Sequence, residues 1–102
     1  MTNQPNGSAA GFLEADGFLP IFDAVDAMVK ATNIHISGVT RLGGGLVAVA
    51  ILGQLADVEE AIEIGVQCAT AAGGEKVRSV IFAAPSHAVS VLAQDPMVLD
   101  GM

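Results

Sequence analysis

Residues 38–47 read GVTRLGGGLV, and this stretch decides how the chain is arranged. Three consecutive glycines, Gly43, Gly44 and Gly45, separate two apolar segments rich in β-forming residues, and Arg41 stands just before them. Glycine loses more conformational entropy on folding than any other residue, so three in a row at a strand junction need a reason. Either the glycines form a permissive hairpin turn, or a ligand or other backbones approach so closely that a Cβ atom would not fit.

Strands are predicted on both sides of this turn, at residues 34–40 and 46–52. The second segment is a nearly continuous Leu/Val/Ala/Ile run, which is typical of a strand covered on both faces. Two further strands are predicted at residues 9–15 and 76–82, where apolar and β-branched residues are frequent.

Two amphipathic helices are predicted between these strands. The first covers residues 18–31, where apolar side chains recur at i, i+3 and i+4; they are Phe18, Ile21, Phe22, Val25, Met28 and Val29. The second begins near Leu55, with Asp57 as N-cap and Glu60 as its capping-box partner, and ends at Gly73 and Gly74. It carries a stripe of mostly small side chains, which allows close packing: Val58, Ala61, Ile62, Gly65, Ala69 and Ala72.

The resulting order, β-α-β-β-α-β, predicts an α+β, ferredoxin-like fold in which four strands carry both helices on one face. Residues 1–8 are polar and are interpreted as a flexible N-terminal extension. The domain is placed at residues 9–94, including a short final helix that begins near Ser86, and residues 95–102 form a C-terminal tail after the break at Pro96.

Composition narrows the classes of function. The chain has 102 residues, of which 52% are hydrophobic and 15% charged, so it is more apolar than a small solitary domain needs to be. Part of its surface is therefore expected to be buried against other copies. A formal charge of −7, with no Tyr or Trp, argues against nucleic-acid binding. Without a membrane-length apolar run or a signal-peptide pattern, the chain is interpreted as a cytoplasmic protein that does not bind a membrane.

Residues that could carry catalysis or bind a metal do not form a recognisable site. His35 and His87 lack a second ligand at metal-binding spacing, and Ser86 beside His87 lacks a third, orienting group. The glycine run lies in a hairpin rather than between a strand and a helix, so it matches neither a P-loop nor a dinucleotide motif. Cys68 is the only cysteine and is interpreted as a small buried hydrophobe. We therefore expect no enzyme activity, no cofactor and no metal.

Three segments together resemble the shell proteins of bacterial microcompartments. They are DAMVKATN at residues 26–33, GVTRLGGGLV at residues 38–47 and PSH at residues 85–87. The family's corresponding motifs read approximately DAMVKAANV, GYxKIGSGLV and PRPH at matching spacings. The similarity extends from about Ala10 to Ala93, which is nearly the whole domain.

The resemblance implies a BMC-domain protein that forms a flat homohexamer, and hexamers that tile edge to edge with other shell proteins around encapsulated cargo enzymes. The central pore would be edged by five consecutive residues: Arg41, Leu42, Gly43, Gly44 and Gly45. The hexamer edge would carry four: Lys30, Asn33, Pro85 and His87. The bland alternative for Lys30 is a helix-end lysine that pairs weakly with Asp26 four residues earlier.

Three departures from the family pattern affect these expectations. Gly44 replaces the usual pore serine, which predicts a wider pore edged mainly by backbone groups. Arg41 replaces a lysine and keeps a cation near the pore mouth, where it would favour small anionic or polar metabolites; alternatively it points into solvent or pairs with a carboxylate. The arginine that precedes Pro-His in the family is absent here, which affects the strength of tiling.

Two functions from different classes follow from the sequence. The first is a structural subunit of a microcompartment shell with a pore for small metabolites. The second is an oligomeric, ferredoxin-like regulatory protein that binds a small molecule at clefts between subunits. A six-fold disc would support the first and a discrete trimer with a tight ligand site would support the second.

Overall fold

The computed structural model describes residues 8–83. It contains four strands, two helices and a short 3-10 turn at Gly43–Gly45. In chain order the elements are β1 (Ser8–Asp16), α1 (Phe18–Ala31), β2 (His35–Arg41), β3 (Leu46–Gln54), α2 (Leu55–Ala71) and β4 (Arg78–Ala83). This is the predicted β-α-β-β-α-β order, and the bounds of α1 are those expected from the sequence.

The sheet has the strand order β2-β3-β1-β4, and every neighbouring pair is antiparallel. The central pair β1 and β3 runs in register from Ser8 opposite Gln54 to Asp16 opposite Leu46. A β-bulge interrupts β2 between Ile36 and Gly38. This order, with a helix between β1 and β2 and another between β3 and β4, is the predicted α+β, ferredoxin-like fold.

The main core lies between the sheet and both helices. Alternate residues of the central strands point toward the helices, so that Leu13 and Val49 pack with Ile21 and Met28. The other face of the same strands carries a second cluster that includes Phe12 and Ala50. Strand β3 is therefore buried on both faces over most of its length, as its continuous apolar run predicted.

Helix α2 packs closely because its inner stripe is small. Five of the six predicted stripe residues are buried: Val58, Ala61, Ile62, Gly65 and Ala69. The sixth, Ala72, is the C-cap of the helix and is only half-buried. A Cβ atom at Gly65 would lie 2.8 Å from the Met28 sulfur and 3.0 Å from a methyl carbon of Leu13. Those distances are below van der Waals contact, so glycine at this position sets how near α2 lies to α1 and β1.

The buried face of α1 differs from the predicted one. The helix buries Pro20, Ile21, Ala24 and Met28. Three residues that the apolar periodicity assigned to the inner stripe are instead exposed; they are Phe18, Phe22 and Val29. Two positions of the buried face are occupied by Pro20 and Ala24, which a hydropathy pattern does not mark clearly as buried. Several of the large apolar side chains lie on the outer surface instead.

The predicted start of α2 near Leu55 is confirmed, but the predicted N-cap is wrong. The helix begins at Leu55, its N-cap is Gln54, and no side chain caps it by a hydrogen bond. Asp57 therefore lies inside the first turn, where a carboxylate interacts favourably with the helix dipole, and the Asp57–Glu60 capping box does not form. The predicted end is confirmed, since Gly73 follows Ala72 with φ of 89°.

Smaller differences concern the ends of elements. Ser8 is the first residue of β1 and pairs with Gln54, so the strand includes the last residue of the expected extension. Strand β4 begins at Arg78 rather than at Lys76. Cys68 is half-buried against the core, and its thiol donates to the carbonyl oxygen of Asp23 at 3.3 Å. The predicted final helix and the C-terminal tail lie outside the described residues.

Candidate functional site

The glycine turn joins β2 to β3 at one end of the sheet. The Leu42 N–H donates to the Leu46 carbonyl oxygen at 2.8 Å and closes the turn. Gly44 has φ of 72° and ψ of 23°, and Gly45 has φ of 84°. Residues with a Cβ atom rarely adopt these values, so the backbone conformation accounts for glycine at both positions. All three glycines are exposed.

Gly43 has no such explanation within the described part of the chain. Its φ is not in the left-handed region, and a Cβ atom added to it would meet no heavy atom within 4 Å. A Cβ atom at Gly44 or Gly45 would likewise find open space. The packing of residues 8–83 therefore does not require three residues without side chains in this turn.

Arg41, the last residue of β2, lies beside the turn and stacks on an aromatic ring. Its guanidinium carbon is 5.7 Å from the centroid of the Phe18 ring, and the Phe18 ring is 5.4 Å from that of Phe22. A cation–π contact at an exposed site contributes about 0.5–1 kcal/mol. The only ion pair within residues 8–83 involves a different cation. Arg41 is therefore held by an aromatic ring rather than by a carboxylate, which neither sequence-based alternative anticipated.

A groove on the helix side of the turn connects these residues. It is lined by Gly17, Phe18, Arg41, Leu42, Gly45, Leu46 and Val47. The role of Phe18 could not be inferred from sequence, because residues 18 and 41 meet only once α1 is placed on the sheet. One feature of the sequence does suggest that Phe18 lies near the glycine turn. Phe18 lies just after the end of β1, and that end of β1 pairs with the start of β3.

The predicted edge residues lie at the other end of α1. The Lys30 ammonium is 3.0 Å from the Asp26 carboxylate, and the two side chains are 73% and 64% exposed. Such an exposed i, i+4 pair contributes only about 0.3–0.5 kcal/mol. Asn33 is exposed in the connection to β2. At 1.5 Å per residue, roughly 18 Å of helix separates Phe18 beside the turn from Lys30.

The structure thus separates the predicted residues into two groups. Arg41, Leu42 and the glycines lie at one end of the domain, and Lys30 and Asn33 lie at the other. The two remaining predicted edge residues, Pro85 and His87, lie outside the described residues. Within residues 8–83, no group of three or more His, Cys, Asp or Glu side chains is arranged to hold a metal ion. None of the helices in this part of the chain is long and apolar enough to cross a membrane.

A model of a known protein family matches most of the chain. The family model described as the BMC domain matches residues 9–85. The chain belongs to the BMC-domain family. The match includes the glycine turn, Lys30 and both helices, so the resemblance predicted from the three short motifs is confirmed over most of the chain.

Curated relatives named as carboxysome shell proteins are similar over most of their length. The carboxysome shell protein CsoS1 of Prochlorococcus marinus is 34% identical over 89 residues, which cover 87% of this chain and 86% of the relative. The carboxysome shell protein CcmK2 of Synechococcus elongatus is 36% identical over 78 residues, covering 76% of each chain. These relatives are named as shell proteins, which confirms the prediction of a structural rather than an enzymatic protein.

A solved structure shares the fold. A microcompartment protein from Desulfitobacterium hafniense superposes with a TM-score of 0.72 at 20% sequence identity. The superposition covers 84% of this BMC-domain chain but only 47% of the length of the solved chain. At this level of identity, the similarity supports the fold assignment alone.

Proposed function

We propose that this BMC-domain protein is a structural subunit of a bacterial microcompartment shell in the cytoplasm. Two lines of support are its membership of the family over residues 9–85 and its 34% identity to carboxysome shell proteins over most of both chains. It assembles with other shell proteins, and the shell that they form surrounds cargo enzymes. The protein itself carries no catalytic role in this proposal.

The subunit forms a cyclic homohexamer whose central pore is edged by residues 41–45. The observation that carries this step is Gly43, which has neither an unusual φ nor, among residues 8–83, a neighbour that would exclude a Cβ atom. If six copies converge on a rotation axis at this turn, the crowding comes from the other copies. Side-chain-free residues then keep the passage open, and the absence of a serine hydroxyl at Gly44 leaves mainly backbone groups around it.

Arg41 gives this pore its charge. Six guanidinium groups stacked on Phe18 rings would surround the pore mouth, although the formal charge of each whole chain is −7. Charges of one sign around an opening raise the local concentration of ions of opposite sign. We therefore expect small anionic or polar metabolites to cross more readily than cations.

The opposite end of the domain serves the edge of the hexamer. Lys30, Asn33, Pro85 and His87 form the contacts by which hexamers tile into facets. The placement of Lys30 and Asn33 supports this assignment, because α1 carries them away from the turn, as a tile with a central pore and an outer edge requires. Among residues 8–83, the exposed ammonium of Lys30 is bound only by a weak pair with Asp26, which leaves it available to a neighbouring hexamer.

Native mass spectrometry and negative-stain electron microscopy of the purified protein test this proposal. We expect a mass of six subunits, discs with six-fold symmetry and a central hole, and extended sheets at higher protein concentration. A monomer in dilute buffer, or a ring whose glycine turns face outward, would refute the pore assignment. A discrete trimer that binds a metabolite tightly would favour the alternative, a small-molecule-binding regulatory protein.

A further inference from the structure

The Phe18 side chain is aromatic but does not belong to the core of its own subunit. It is 40% exposed at the first residue of α1, whereas the buried face of that helix begins at Pro20. The centroid of its ring lies 5.7 Å from the Arg41 guanidinium carbon and 5.4 Å from the centroid of the Phe22 ring. Packing in the core therefore does not account for an aromatic residue at this position, whereas the contact with Arg41 does.

The Arg41 guanidinium is not paired with a carboxylate in the described part of the chain. Asp16 ends β1 next to the groove, since the following residue, Gly17, lines that groove. The Asp16 carboxylate is bound elsewhere, because its Oδ1 accepts the Glu75 N–H at 2.6 Å. Among residues 8–83, the Phe18 ring is therefore the contact that orients the guanidinium.

The position of this charge matters because salt screens it. At an ionic strength of about 0.15 M the Debye length is about 8 Å. A long and flexible arginine side chain can move its guanidinium over a comparable distance. An exposed arginine without an anchor therefore spends part of its time too far from the turn to act on a passing ion. Phe18, Arg41 and Gly45 line the same groove, so the ring holds the guanidinium beside the turn.

We propose that Phe18 is a positioning residue that sets the anion preference of the pore, an inference that rests on the ring and the pore proposed above. Phe18 does not touch the metabolite and acts through Arg41. Its ring, carried by a helix, keeps each guanidinium at the pore mouth through a cation–π contact. At an exposed site this contact changes the population of the held position by about two- to fivefold, which corresponds to about 0.5–1 kcal/mol.

The efflux of radiolabelled acetate and acetamide from assembled shells measures this preference, because the two solutes are similar in size and differ in charge. Phe18→Leu keeps an apolar side chain and removes the ring. We expect its acetate-to-acetamide ratio to fall between those of wild type and Arg41→Gln. Phe18→Trp should match or exceed wild type, because tryptophan is the strongest cation–π partner. Native mass spectrometry checks that each variant forms the ring.

The matched control is Phe82→Leu. Phe82 is 37% exposed and is also paired with another ring, that of Phe12, but it does not line the groove. The same atoms are removed as in Phe18→Leu, so the acetate-to-acetamide ratio should equal that of wild type.

A salt series separates positioning from structural damage. At an ionic strength of about 0.01 M the Debye length rises to about 30 Å, so a displaced guanidinium acts on the passage again. The Phe18→Leu ratio should then return most of the way to the wild-type ratio, while that of Arg41→Gln, which has no charge, should stay low. In the Arg41→Gln background, Phe18→Leu should change nothing further, because the ring then has no cation to hold.

Nuclear magnetic resonance of arginine-labelled protein measures the contact itself, also in a chain that does not assemble. The protein contains two arginines, Arg41 and Arg78, so the Arg41→Lys variant assigns the signals. The aromatic ring should shift the Arg41 side-chain protons upfield in wild type and in Phe18→Trp, and this shift should be absent in Phe18→Leu. A wild-type spectrum without the shift would show that the ring does not hold the guanidinium, and would overturn the inference.

The outcomes separate this inference from the proposed function. A wild-type protein without a ring, or a ring whose acetate-to-acetamide ratio is the same in Arg41→Gln, overturns the proposed pore and this inference with it. A ratio that depends on Arg41 but is unchanged in Phe18→Leu leaves the proposed pore intact and overturns this inference alone. A reduced ratio in Phe18→Leu that low salt does not restore shows structural damage rather than a displaced charge, which also overturns it.

Discussion

Replacing Gly74 with alanine should destabilise the protein by straining the junction that holds α1 and α2 together. The Gly74 N–H donates to the carbonyl oxygen of Ala69 at 2.9 Å. A Cβ atom on Gly74 would lie 2.7 Å from that same oxygen and 2.9 Å from the Cβ atom of the buried Pro20. Neither neighbour is the end of a flexible side chain, so the backbone itself must move. The φ of Gly74 is not in the left-handed region, so the close contact is the reason for glycine here.

The size of the effect follows from these contacts. Forcing an extra carbon into a packed site costs about 1–3 kcal/mol, and weakening the hydrogen bond to Ala69 adds about 1 kcal/mol. We expect a total loss of about 2–4 kcal/mol in the free energy of unfolding. Even the smaller value lowers the Tm of a domain of this size by roughly 8–16 °C.

Urea and thermal denaturation followed by circular dichroism measure this loss. Gly38→Ala is the matched control, because Gly38 has no positive φ and a Cβ atom there meets nothing within 4 Å. The control should be neutral or stabilising by about 0.4–1 kcal/mol through the unfolded chain. Both variants must be compared at one protein concentration, since assembly adds to apparent stability. Equal denaturation midpoints for Gly74→Ala and the wild type would refute the packing argument.

Two further substitutions separate the pore from the edge. Lys30→Ala should abolish extended sheets in electron micrographs while six-subunit rings persist. It should change the free energy of unfolding by no more than about 0.5 kcal/mol, because only an exposed pair with Asp26 is lost. Unchanged sheets would exclude Lys30 from tiling. Arg41→Glu should slow the flux of an anionic metabolite through assembled shells, and Arg41→Lys, which retains the positive charge, should largely preserve it; equal flux for wild type and Arg41→Glu would contradict the pore hypothesis.

The fold could be predicted from the sequence because its signals are local and consistent. Strand β3 is a continuous apolar run, α1 is bounded by Gly17 and the residues after Ala31, and the glycines after α2 end that helix. The order of elements then leaves few topologies, since helices that connect parallel strands must cross over one face of the sheet. Each of these patterns predicts one strand, one helix or one helix end, and their order along the chain predicts the ferredoxin-like sheet.

The N-cap of α2 could not be predicted because two acceptable starting points compete. Asp57 followed by Glu60 has the composition of a capping box, but Leu55 and Ala56 have high helix propensity and follow directly on β3. The chain passes from strand to helix without an intervening turn, so the helix begins before the capping residues.

The candidate site could be predicted only in part, for a different reason. Its glycines and Arg41 were found by spacing, but the Phe18 ring on which Arg41 stacks is distant in sequence.

The error about α1 and the surplus of apolar residues have one physical cause. Hydropathy periodicity indicates that a side chain avoids water, but it does not say whether its own chain or another chain covers it. Ile21 and Met28 are covered by their own chain, whereas Leu19 and Phe22 are not. Helix α1 therefore has two apolar stripes: an inner one that packs in the core of its own subunit, and an outer one that is exposed on the subunit. The outer stripe accounts for part of the apolar surplus in the composition. It follows that truncating the inner stripe should unfold the subunit, while truncating the outer stripe should leave a folded subunit that assembles poorly.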